Sequence, residues 1–133
     1  SLYAAAYPDR LHKLMLIFPA FVLFDDVKAT YHELGSPDFD QLPDSLTHRN
    51  TTLGKIYLID ALDIDIQAEQ AKITAPTLII HGTGDAVVPY QYAVEASQTI
   101  PNAELVTVED GEHRIDERFA ITAAPAIQKF LKE

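Results

Sequence analysis

The chain has 133 residues, enough for one small domain with a modest core, and its 47% hydrophobic and 23% charged residues are those of an ordinary globular protein. A formal net charge of −10 argues against nucleic acid and against anionic membrane surfaces as partners, since both require a basic face. With no cysteine there is neither a disulfide framework nor a thiolate metal site, and the absence carries no information on redox compartment.

In chain order, Leu2–Ala6 reads as the tail of a helix that stops at Tyr7-Pro8, because the residue before proline avoids the helical region. Leu14 to Phe18 is an unbroken apolar run closed by Pro19, which predicts a strand buried on both faces, as in a parallel sheet. The whole apolar stretch from Leu14 to Phe24 is too short to span a bilayer. No charged segment leads into an apolar one in the manner of a signal peptide, and a cytoplasmic location is expected.

From residue 24 to 71 the texture changes. Asp25-Asp26, Gly35-Ser36-Pro37-Asp38 and Leu42-Pro43-Asp44 predict turns, with short apolar segments between them and a helix after Leu53. This stretch is expected to be an insertion packed over the sheet. Regularity returns with Thr77–Ile80, a second buried strand, ended by His81-Gly82-Thr83-Gly84-Asp85. Tyr90 to Ile100 has helical spacing, Glu104–Val108 is a third strand with the partial alternation of an edge, and Phe119 to Leu131 is an amphipathic helix. Strand, insertion, strand, helix, strand, helix implies an α/β architecture: a partial parallel sheet of three strands with flanking helices and a small lid insertion.

Open parallel sheets carry functional groups just beyond the carboxyl ends of their strands. Asp85 follows the second strand and His113 the third, each after glycine. The two loops open on one rim, where a carboxylate can fix the tautomer of an imidazole. Each residue also has a plainer reading, Asp85 as a turn cap ahead of Tyr90 and His113 as an exposed loop histidine. The pairing is stronger than either member alone. His81, directly after a buried strand, reads as a structural hydrogen-bonding residue. His12, His32 and His48 lack any carboxylate and glycine context and read as surface residues. Gly82-Thr83-Gly84 is a poor dinucleotide fingerprint because Pro89 follows, and His81, Asp85, Glu112 and His113 lack metal-ligand spacing.

His81-Gly82-Thr83-Gly84-Asp85-Ala86-Val87-Val88-Pro89 resembles the acid-bearing segment of α/β-hydrolases, and Gly111-Glu112-His113 resembles the segment that supplies their catalytic histidine, at the spacing usual for that family. Tyr7-Pro8-Asp9-Arg10 with Leu14 to Ala20 resembles the helix and strand that follow the nucleophile elbow. The resemblance implies the C-terminal part of one α/β-hydrolase domain over residues 1–133, with residues 24–71 as its lid or cap. It implies Asp85 and His113 as the acid and base of a Ser-His-Asp triad acting on a small-molecule ester, with no cofactor and no metal. The segment from Leu42-Pro43-Asp44 through Thr52–Tyr57 to Leu62-Asp63-Ile64 is similar to the lid of feruloyl and cinnamoyl esterases, whose residues recognise a phenolic ring; this implies Asp44 and Tyr57 as substrate-binding residues, against plainer roles as a turn residue and a packing residue.

The departure from the family is the missing Gly-x-Ser-x-Gly; Ser36, Ser45 and Ser97 lack the flanking glycines of a strained elbow. Ser1 falls a few residues past the expected nucleophile position and opens a helix remnant, which disfavours it. The chain alone is therefore expected to be inactive. Its expected partner is the missing N-terminal half of the fold or a second copy, recruited through the open edge of the first strand. The alternatives are a non-catalytic truncated fragment serving as an interaction module, or a lipase-like or peptidase-like hydrolase.

Overall fold

The computed structural model describes residues 1–48 and 51–132. The chain forms two compact units, one of Ser1–Phe21 with Gln67–Glu133 and one of Val22–Ile66. Among the described residues no helix is long and apolar enough to cross a membrane.

The first unit is built on a three-stranded parallel sheet in the order β1 (Leu14–Ile17), β4 (Thr77–Gly82), β5 (Ala103–Val108). Leu14 sits opposite Thr77, and Thr77 opposite Ala103. β4 is central and buried at every residue, as its unbroken Thr-Leu-Ile-Ile run requires. It runs two residues further than the sequence suggests, so His81 and Gly82 lie in the ladder, opposite Thr107 and Val108. β1 departs from expectation in burial. It is half-buried, not enclosed on both faces, because among the described residues it is an outer strand paired only with β4.

Helices flank this sheet. α1 (Leu2–Ala6) turns Ala4 and Ala5 inward and ends at Tyr7, the residue before Pro8, which leaves the helical region with φ −133° and ψ 61°. α5 (Gln91–Thr99) buries Ala93 and Ala96, three residues apart and so on one face. α6 (Glu117–Lys132) starts where Asp116 Oδ1 accepts the Phe119 backbone N–H at 2.9 Å, a side-chain cap. Its Phe119, Ala123, Ile127 and Phe130 recur every three or four residues and pack with Leu78, Ile80 and Val108 into the core of the unit. A short helix, α4 (Ile66–Gln70), precedes Ile73, which is fully buried.

The second unit has its own core. α2 (Val22–Glu33) and α3 (Lys55–Leu62) pack Phe24 and Val27 against Leu58 and Ala61, with Leu42 beneath them. An antiparallel pair, β2 (Ser45–His48) and β3 (Thr51–Gly54), sets Leu46 opposite Leu53. The expected helix after Leu53 is α3. The expected turn at Asp25-Asp26 is not a turn, since both residues lie inside α2. The turn after α2 does occur, with Gly35 at φ +82°.

Leu78→Ala is expected to lower the unfolding free energy by roughly 2–5 kcal/mol, as for other leucines cut from a closed core. Ile121→Ala, at an exposed position of α6, should stay within about 0.5 kcal/mol of the parent. Denaturant unfolding of both variants checks the assignment of the core.

Candidate active site

β4 and β5 run parallel and end side by side, so the loops that follow leave from the same end of the sheet. The two loops do not merely approach; they are bonded to each other. Thr83 N–H donates to the Val108 carbonyl at 3.1 Å, and Gly84 N–H to the Gly111 carbonyl at 3.0 Å. Asp110 N–H donates to Thr83 Oγ1 at 2.8 Å. Gly82 has no room for a side chain, because a Cβ there would sit 2.0 Å from the Gly111 carbonyl oxygen. Asp110 takes a positive φ of 51°, a conformation aspartate tolerates better than most residues, to turn the chain into Gly111.

This clasp brings Asp85 and His113 together. His113 Nδ1 lies 2.7 Å from Asp85 Oδ2. With the carboxylate as acceptor, Nδ1 is the donor of this bond. The Asp85 side chain is fully buried and that of His113 is 36% exposed, so the acid sits behind the base. Asp85 is satisfied on its other oxygen as well: Oδ1 accepts the backbone N–H groups of Val87 at 2.9 Å and Val88 at 2.8 Å. Burial alone would push this carboxyl upward. The Val88 N–H, the His113 hydrogen bond, the Val87 N–H and the His113 charge together outweigh it and hold the group below the usual carboxylate range.

His81 is buried completely. Its Nε2 lies 2.9 Å from the Val88 carbonyl and 3.2 Å from Asp85 Oδ2. Its position after a buried strand marked it as a structural hydrogen-bonding residue, but nothing in the sequence shows that it touches the acid. Phe18, at φ 46° just past β1, is a neighbour that sequence reading missed; its ring centroid is 5.1 Å from that of His113 and 5.9 Å from that of His81. A large residue before a proline at the end of a strand is the only signal that could have found it.

The other sequence-derived site residues lie in the second unit. The Asp44 carboxylate is almost fully exposed and pairs with Lys55 Nζ at 3.0 Å. Tyr57 is half-buried and lines an apolar pocket of about 30 Å³ with Leu23, Val27, Leu46, Leu53 and Leu58. Its phenol is raised above the usual value, first by burial and then by the neighbouring Asp26 carboxylate. His12 and His32 are exposed, and the side chain of His48 lies outside the described part of the structure. Ser97 Oγ donates within α5 to the Val94 carbonyl, Ser1 precedes α1, Ser36 has φ 50° after α2, and Ser45 lies in β2.

Comparison with known proteins adds to this geometry. An α/β-hydrolase family model described as TAP-like protein matches residues 62–133, over half of the chain and both members of the pair. RutD of Stutzerimonas stutzeri, named as a carbamate hydrolase, is 37% identical over 70 residues, covering 52% of this chain and 26% of its own length. YisY of Bacillus subtilis, named as an AB hydrolase superfamily protein, is 34% identical over 92 residues, covering 68% of this chain and 34% of its own. Among solved structures, Est1E from Butyrivibrio proteoclasticus superposes with a TM-score of 0.80 at 28% identity, over 99% of this chain and 56% of Est1E. Alpha/beta hydrolase domain-containing protein 10 from mouse gives 0.72 at 18% identity, over 98% of this chain and 56% of that one, a likeness of fold. The chain thus spans about a quarter to a third of these curated relatives and a little over half of these solved structures.

Two outcomes follow from the clasp and the buried acid. Gly82→Ala should abolish the Asp85–His113 hydrogen bond, read as loss of the His113 Nδ1 proton signal by NMR, because the new methyl can be housed only by parting the loops. For Asp85, a native value below the unfolded one (about 3.9) means stability that is complete above the unfolded value and is lost as pH falls through the native one. Below the ordinary carboxylate range, the unfolding free energy of the parent should therefore fall more steeply with acid than that of Asp85→Asn, in denaturant melts at stepped pH.

Proposed function

The chain belongs to the α/β-hydrolase superfamily, and on that premise we propose that it supplies the acid and the base of a serine-type carboxylic ester hydrolase. The observation that carries this reading is the 2.7 Å bond between His113 Nδ1 and the buried Asp85 carboxylate, at the ends of adjacent parallel strands. In this reading Asp85 orients His113 and stabilises its charged form. His113 Nε2 accepts the proton of a serine hydroxyl as that oxygen attacks the ester carbonyl, then returns it to the departing alkoxide; water repeats the cycle on the acyl-enzyme. The serine comes from outside these 133 residues, since none of their serines stands in a Gly-x-Ser-x-Gly elbow. No cofactor takes part.

For the substrate we propose esters of hydroxycinnamic acids, with Asp44 and Tyr57 of the Val22–Ile66 unit, acting as a lid, as the residues that recognise the acyl group. The support is the likeness to Est1E, which has been solved with ferulic acid bound and then superposes with a TM-score of 0.78. Likeness to a protein named as a carbamate hydrolase favours carbamates as the second reading. A panel of feruloyl, acetyl and carbamoyl substrates separates the two. Preference for the carbamate overturns the hydroxycinnamoyl assignment and leaves the Asp85–His113 chemistry standing.

The 133-residue chain by itself should not be labelled by a fluorophosphonate probe; stoichiometric labelling would overturn the external serine. In a polypeptide that also carries the nucleophile segment, Asp85→Asn should lower kcat by up to roughly four orders of magnitude, and His113→Ala by at least as much. Near-normal kcat in Asp85→Asn would show that the acid lies elsewhere. If Asp44 contacts a ring hydroxyl, Asp44→Ala should slow feruloyl esters more than acetyl esters in the same assay.

A further inference from the structure

His81 is a wholly buried ionisable side chain that the proton transfers above do not use. Its Nε2 faces two oxygens, the Val88 carbonyl at 2.9 Å and Asp85 Oδ2 at 3.2 Å. A lone pair there would oppose both, so Nε2 must carry a proton. Its Nδ1 is buried with no hydrogen-bond partner among the described residues. A proton on Nδ1 would be an unmatched buried donor on a charged ring, which is costly, whereas an unused lone pair costs much less. The ring is also walled by aromatic groups, Phe18 at 5.9 Å edge-on and Tyr90 at 6.0 Å. Together these features select one species, the neutral Nε2–H tautomer.

That species has a consequence for the acid. Val88 is held from both sides, its N–H by Asp85 Oδ1 at 2.8 Å and its carbonyl by His81. His81 Nε2 also lies 3.2 Å from Oδ2, the oxygen that receives the His113 bond, while its hydrogen bond goes to the Val88 carbonyl. We propose that His81 is a positioning residue for the acid: a neutral Nε2–H donor that pins the Val88 peptide, whose own N–H in turn holds the Asp85 carboxylate toward His113 without neutralising it. A charged ring here would form a buried ion pair with Asp85 and take the negative charge that His113 needs. A residue with no donor would free the Val88 peptide and let the carboxylate rotate.

This inference rests on Asp85 and His113 being an acid–base pair, and one set of spectra separates the two claims. In the ¹⁵N-histidine-labelled chain, proton–nitrogen couplings report the tautomer of each ring. His81 is expected to show the neutral Nε2–H pattern, and His113 a downfield Nδ1 proton protected from exchange. His81→Phe should keep a cooperative melt but lose the protected His113 signal, and His81→Gln, whose amide can donate to the same oxygens, should restore it. A His81 that is charged or protonated on Nδ1, or an unchanged His113 signal in a folded His81→Phe chain, overturns the proposal. If His81→Phe does not fold, the tautomer of the parent and the His81→Gln spectrum decide. Absence of the His113 Nδ1 signal from the parent chain would instead strike at the pair itself.

Discussion

The site depends on one steric constraint: the backbone after β4 runs directly against the backbone after β5. A Cβ on Gly82 would lie 2.0 Å from the Gly111 carbonyl oxygen, and one on Gly111 would lie 2.7 Å from Val108 Cγ1. Neither position can hold a side chain, and the space saved is filled with hydrogen bonds from Thr83, Gly84 and Asp110. The ladder of the sheet is in effect continued past its last residues by loop-to-loop bonds. Residues 85 and 113 are far apart in sequence, and this continuation brings their side chains to 2.7 Å. Glycine here buys proximity, not flexibility.

The electrostatics follow from the same geometry. A buried carboxylate is tolerable only if its lone pairs are engaged, because its desolvation otherwise favours the neutral form. Asp85 meets the condition with two backbone N–H groups on Oδ1 and two imidazole nitrogens close to Oδ2. The acid therefore stays an anion while hidden, and His113 is the more exposed member of the pair. Acid buried and base at the surface is the order that general-base chemistry needs, since the base must meet a partner and the acid must not meet water.

Sequence and structure agree most closely where backbone and side-chain signals coincide. Thr77–Ile80 is rich in β-branched and apolar residues, and it lies in the buried central strand. Asp85 follows this strand and His113 follows β5, its parallel neighbour, so topology placed them on one rim. The reading failed where signals conflicted. Asp25-Asp26 looked like a turn, but Phe24, Val27 and Tyr31 recur at helical spacing around it, and burial of that stripe against α3 carries the helix through. The β2–β3 pair went unseen because Ser45-Leu46-Thr47-His48 and Thr51-Thr52-Leu53-Gly54 are short and mostly polar, with one leucine each to set the register. The contact of His81 with the acid was illegible for another reason. It depends on which way a ring points at the end of a strand, and no local pattern encodes that.

Asp44 and Tyr57 differ physically in a way that bears on the roles proposed for them. The Asp44–Lys55 pair is an exposed ion pair, and such pairs are worth little because water competes for both charges. A ligand hydroxyl could replace one water on Asp44 at small cost. Tyr57 is different. Burial and the Asp26 carboxylate both favour its protonated form, so its hydroxyl remains a donor across the neutral range. Its ring also borders the small pocket lined by Leu23, Val27, Leu46, Leu53 and Leu58, with Asp26 and Thr30 also in its wall. A donor beside apolar surface suits one end of an amphipathic ring, because a misplaced acceptor there would be desolvated without compensation. The roles proposed for the two are therefore physically distinct: Tyr57 would offer a donor beside apolar surface, and Asp44 an exposed acceptor.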